Sequence, residues 1–205
     1  MIKLEILLLA AGTSSRMGQP KALLPIGQIP LIRHQIDQLQ QLGKPITLVL
    51  GAHAQTIQAA LDDTDVNLVF NADYPMGMGH SIAAGVQAIT RSGRHVEAIM
   101  ICAVDQPLID SRHYNSLMEK AQQSDFSIIQ SASDQGWQGI PTIFKSMHFE
   151  ALTQLTGDEG AKSVIQKNSG KVTYVKGRPG TLIDIDTPLQ YRKFIDNSEK
   201  FNPRF

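Results

Sequence analysis

Apolar and polar positions fall in blocks along the chain, and the length and spacing of the blocks separate strands from helices. Ile2 to Ala11 is a largely continuous apolar run rather than an alternating one, which predicts a first strand buried on both faces of a parallel sheet. Leu31 to Leu42 carries apolar residues at helical spacing and stops at Gly43. Pro45 to Leu50, Val66 to Phe70, Val96 to Val104 and Phe126 to Gln130 read as further strands. Between them, Gln55 to Leu61, Ser81 to Ile89 and Ser111 to Gln123 read as helices. Such alternation implies βαβ crossovers and an α/β fold with a doubly wound, mostly parallel sheet.

After Ser131 the rhythm loosens. Glycine and proline recur in DQGWQGIP, and helical stretches at 146–155 and 160–167 flank TGDE. This region can cap the sheet and build a pocket, or be surface elaboration. Two late strands, 171–175 and 181–185, lead to a final helix from Pro188, and the polar tail NSEKFNPRF is expected to fray. There is no repeat, low-complexity tract or interdomain linker, so the 205 residues are read as one domain.

Composition narrows the function classes. Lys plus Arg and Asp plus Glu both number 19, so no global charge favours nucleic acid or a membrane surface. The lone Cys102 rules out a disulfide framework and a cysteine-rich zinc site, and points to a reducing compartment. The N-terminal apolar run is too short for a bilayer and lacks a cleavage region, so a cytoplasmic location is expected. His34, His53, His95, His113 and His148 show no metal-ligand spacing.

Ligands of open α/β sheets bind beyond the carboxyl ends of the strands. Three polar clusters fall at such ends: the loop from Gly12 to Lys21, Asp105-Gln106-Pro107, and Asp184-Ile185-Asp186-Thr187-Pro188. Gly12 permits close backbone approach, while Arg16 and Lys21 bring cations suited to polyphosphate. Neither GxxxxGK[ST] nor GxGxxG is present, so a kinase-type loop and a hydride-transfer enzyme are both poorly supported. Asp105 has the character of a Mg²⁺ ligand, though an isolated aspartate before Gln-Pro is equally an ordinary turn. Asp186 shares that ambiguity, because Thr187 and Pro188 are also a helix start. His80 either touches nucleotide or packs locally, and Trp137 either lines a pocket or anchors a loop.

Taken together, LAAGTSSRMGQPKALLP, GMGHSIAAGV, VDQPLI, GIPTIF, TGDEGAKSVI and DIDTP resemble the MobA-like nucleotidyltransferases along nearly the whole chain. Similarity is greatest to the molybdenum cofactor cytidylyltransferase branch. Two departures stand out. GMGHS replaces a serine-rich GMSSS and is similar to the GTGHA of sugar-nucleotide pyrophosphorylases, and DTPLQ replaces DTPED. The resemblance implies a three-layer Rossmann-like sheet of the nucleotide-diphospho-sugar transferase type. Residues 1–130 would bind nucleotide, and residues 131–205 would serve the acceptor and metal. The implied reaction transfers CMP from CTP to the phosphate of molybdopterin, with Mg²⁺, releasing pyrophosphate. Ala10, Ala11, Gly12, Gly79 and Ser81 would contact nucleotide, Arg16 and Lys21 the triphosphate, and Asp105 and Asp186 the metal. Gly139, Pro141, Gly157, Asp158 and Gly160 would shape the acceptor side. A sugar-phosphate or polyol-phosphate acceptor, or a nucleotide-binding chaperone that hands cofactor to a molybdoenzyme, are the competing readings.

Overall fold

The computed structural model describes residues 2–61 and 64–201; the last four residues of the polar tail lie outside them. Seven strands form one sheet in the order β5-β4-β1-β6-β8-β7-β9. These are β1 (Leu4–Ala10), β4 (Ile46–Leu50), β5 (Asn67–Phe70), β6 (Ala98–Ala103), β7 (Ile128–Ala132), β8 (Gln138–Lys145) and β9 (Val172–Lys176). A small antiparallel pair, β2 (Pro25–Ile26) and β3 (Ile29–Pro30), stands apart. β1 pairs in parallel with both β4 and β6, and every residue of β1 is buried, as its continuous apolar run requires.

Helices cover both faces. The even-numbered core residues of β1 and β4 pack with α1 (Leu31–Gln40), α2 (Ala54–Ala59), α4 (Ser111–Gln123) and α7 (Pro188–Phe201). The odd-numbered ones pack with α3 (Met78–Arg91), α5 (Phe149–Thr153) and α6 (Lys162–Lys167). β1 therefore lies where the chain leaves in one direction to β4 and returns in the other to β6. That reversal opens a crevice at the strand ends.

Three departures from the sequence expectation concern the second half. β8 was not foreseen: a five-residue turn closed by Ser133 N–H donating to the Trp137 carbonyl (2.8 Å) brings the chain straight back, so β8 inserts antiparallel between β6 and β7. Proline inside GIPTIF argues against an interior strand. The sheet accommodates it because the β7–β8 register shifts between Gln130 and Ser131, leaving Ile140 and Pro141 out of the ladder. The expected strand 181–185 is instead an irregular strap. β8 already occupies the sheet position beside β6, so 181–185 makes a single backbone bond there, Ile185 N–H to the Asp105 carbonyl (2.8 Å). The expected helix at 146–155 is a single turn at 146–148 followed by the short α5. Among the described residues no helix is long and apolar enough to cross a membrane.

Candidate active site

The loop after β1 is folded by its own side chains. Ser14, in the left-handed region (φ 55°), accepts the Met17 N–H on its carbonyl (2.9 Å) and the Lys21 N–H on its hydroxyl (3.0 Å). Met17 anchors the loop in the core. Ala11 continues between neighbouring strand ends, its carbonyl accepting from Ala52 N–H (3.1 Å). The two cations thereby face differently: the Arg16 side chain is 69% exposed, while that of Lys21 is 16% exposed and turns inward.

Lys21 Nζ lies 2.7 Å from Asp105 Oδ2 and 2.7 Å from Asp186 Oδ1, and Arg16 reaches Asp186 Oδ2 at 3.0 Å. Burial alone would lower the Lys21 ammonium, but Asp105 and Asp186 outweigh it and hold it above its usual value. Burial likewise pushes Asp186 up, and Lys21 and Arg16 reverse this, leaving its carboxyl below the usual range. Asp184 makes no ion pair among the described residues, and the Lys21 charge opposes its shift only weakly. Burial first, then the Asp105 charge, raises it, and Gln106 Nε2 donates to its Oδ1 at 2.8 Å. That amide, together with the Ile185–Asp105 backbone bond, pins the strap to the end of β6. Gln190 of DTPLQ accepts from Asp186 N–H at 3.0 Å and from the Thr187 hydroxyl at 3.0 Å. It holds the metal-candidate segment at the start of α7.

Three glycines allow the close packing that frames the crevice. A Cβ on Gly51 would fall 2.6 Å from Tyr74 Cβ, and one on Gly79 would fall 2.5 Å from the Thr156 carbonyl. Gly77, at φ 108°, packs against Gly157 and Asp158, and Gly79 N–H donates to the Gly157 carbonyl (2.8 Å). GMGHS and TGDEG are therefore two halves of one wall, although nearly 80 residues separate them.

A cavity of about 900 Å³ runs from this wall along the sheet. It gathers Ala10, Ala11, Gly12, Arg16, Lys21, Ser81, Asp105 and Asp186 with Gly139, Asp158 and Gly160. Gly79, Pro141 and Gly157 are not in its lining. Gly79 and Gly157 serve the backbone contact just described, and the Pro141 carbonyl accepts from the Ser131 hydroxyl (2.7 Å). His80 also lies outside the lining, its Nδ1 buried without a partner among the described residues. Trp137 does line it. Sequence reasoning placed Gln106 in a strand-end cluster without giving it a role, and missed Tyr74 and Gln130. The signal for Gln130 was a polar residue directly after the buried pair Ile128-Ile129 in a predicted strand. Among the described residues no three His, Cys, Asp or Glu gather as a metal cluster.

Comparison with known proteins identifies the family. The chain is 32% identical over 194 residues to the purine catabolism protein PucB of Bacillus subtilis, covering 89% of this chain and 91% of that one. It is 32% identical to the bifunctional protein GlmU of Pseudoalteromonas atlantica over 61% of this chain, but spans only 27% of that longer protein. Rv0371c of Mycobacterium tuberculosis, solved in complex with manganese, shares the fold at TM-score 0.78 and 23% identity, covering 95% of this chain and 98% of that one. The sequence model of the MobA-like NTP transferase domain matches residues 6–172, and the chain belongs to that nucleotidyltransferase family.

Proposed function

We propose that this nucleotidyltransferase moves CMP from CTP onto the phosphate of a molybdopterin-type acceptor, with residues 1–130 seating the nucleotide and residues 131–205 the acceptor. The observation that carries the reading is the convergence of Lys21, Arg16, Asp105 and Asp186 at a cavity that Trp137 and Gly139 also line. CTP and the molybdopterin acceptor rest on the LAAG, GIPTIF and TGDEGA segments.

The donor set fits Mg²⁺. Asp105 and Asp186 approach one ammonium nitrogen from two sides, and Mg²⁺ takes one or two carboxylates and completes its shell with water and substrate phosphate. When bound, the ion would neutralise phosphate charge at the reacting centre. Lys21 and Arg16 take the triphosphate, offsetting charge on the departing pyrophosphate. The Ala10 to Gly12 backbone and Ser81 hold the nucleoside, and Ser81 Oγ is fixed by the Asn71 amide at 3.0 Å. The acceptor phosphate oxygen attacks the α-phosphorus in line; the new O–P bond forms as the α–β bridging bond breaks, and pyrophosphate leaves. Positioning and charge suffice, so no protein nucleophile is required.

Pyrophosphate release, measured with Mg²⁺ and each of the four NTPs with molybdopterin as acceptor, tests this. CTP-selective release that Asp105→Ala abolishes is the expected result. Turnover with sugar phosphates alone would replace the acceptor, and nucleotide binding without turnover on any acceptor would make the protein a carrier.

A further inference from the structure

Below the cavity, the sheet face toward α3 and α6 is apolar, with Ile99, Ile128 and Phe144 on one rung and all fully buried. One rung nearer the strand ends the pattern breaks. Gln130 and its cross-strand partner Thr142 share that face and line the cavity. The Thr142 hydroxyl is spent on the Gly139 carbonyl at 2.8 Å. Gln130 is only 6% exposed, yet its carboxamide has no hydrogen-bond partner among the described residues. An amide that is unpaired and open to a cavity presents a donor and an acceptor to whatever enters it.

The surroundings define that ligand. The Trp137 ring lies against Gly139 so closely that a Cβ there would fall 2.5 Å from Cζ2 and 2.7 Å from Cη2. Ile140, Phe144 and Ile165 supply further apolar lining, whereas Gln138, Lys162 and Gln166 stand exposed at the rim. We propose that Gln130 determines acceptor specificity, its carboxamide reading the paired donor and acceptor of a planar, lactam-type heterocycle stacked on Trp137. A carboxamide offers one donor edge and one acceptor edge side by side, which complements a lactam. A polyol would bring more hydroxyls to this depth than one amide satisfies, and the remainder would be desolvated without partners. The inference rests on reading this part of the cavity as the acceptor side.

Trp137 is the sole tryptophan, so its fluorescence reports the site directly. The probe is 6-hydroxymethylpterin, titrated into wild type, Gln130→Leu and Gln130→Met, with CTP binding by the same samples showing that each variant is folded. Wild type is expected to show quenching, and both variants about tenfold weaker pterin binding, the size of two lost hydrogen bonds. Quinoxaline, a ring of similar size without the lactam edge, is expected to bind wild type and variants equally. Pterin binding that is the same in wild type and variants overturns the proposal. So does quenching of Trp137 by glucosamine 1-phosphate that depends on Gln130. CTP turnover on molybdopterin with unchanged acceptor affinity in Gln130→Leu would sink this inference and leave the proposed function standing. Gln130-dependent pterin binding without turnover on molybdopterin would do the reverse.

Discussion

Lys21 satisfies two carboxylates at once, and that pairing couples the two ligands the site is read to bind. Its ammonium holds Asp105 and Asp186 at 2.7 Å each, the place a divalent cation would also occupy. When triphosphate draws Lys21 and Arg16 away, the carboxylates lose their counter-charge and attract a metal more strongly. Metal and nucleotide should therefore bind with positive coupling. Lys21→Met separates the effects: Mn²⁺ alone, followed by electron paramagnetic resonance, binds several-fold tighter, while CTP binds about tenfold weaker. A parallel loss of both would mean that Lys21 only holds the loop in shape. The residue types of this cluster were legible in the sequence because cations and carboxylates at strand ends have few structural uses. The lysine bridge between two aspartates 81 residues apart in the chain was not.

At the scale of elements, α3 is set by a close approach to the sheet. A Cβ on Gly85 would run into Leu7 Cδ1 and fall 2.8 Å from Val49 Cγ2, both in the centre of the core. Gly85→Ala is expected to cost about 1–3 kcal/mol by overpacking, read as a lower urea midpoint with an unchanged slope. A midpoint equal to wild type would show that α3 can lift without cost. The strands of the first half were readable because parallel strands buried on both sides are continuous apolar runs. β8 was not, because Pro141 contradicts an interior strand unless the neighbouring register is known to slip. The strap 181–185 was misread for the opposite reason. Its Leu182 and Ile185 are apolar because they pack on the core below, not because a ladder position is open.

For the molecule as a whole, two histidines join the layers to the sheet through serine. His113 Nε2 lies 2.8 Å from Ser131 Oγ, whose proton goes to the Pro141 carbonyl, so the ring nitrogen is the donor. His148 Nε2 lies 2.8 Å from Ser127 Oγ. Burial holds both below the ordinary 6.5; Asp110 opposes the shift at His113, and Lys171 reinforces it at His148. The unfolded chain thus takes up protons near pH 6.5 that the native chain refuses. Stability is full above that pH and declines as pH falls toward the native values. Urea midpoints from pH 7.5 to 5 should fall, with a shallower fall in His113→Gln. A flat profile would mean that neither histidine titrates on unfolding.

The sequence by itself determined the α/β class, the cationic loop after the first strand and the three polar clusters, because strand burial and strand-end chemistry are local properties of residue type and spacing. The tertiary structure decided which clusters meet. It paired GMGHS with TGDEG through glycine backbones and pinned the strap to Asp105 and Gln106. By inserting β8 antiparallel, it also turned one strand glutamine into an open amide on a cavity floor. Those outcomes depend on sheet order and register, which arise from contacts between segments far apart in the chain and leave only faint marks in local pattern.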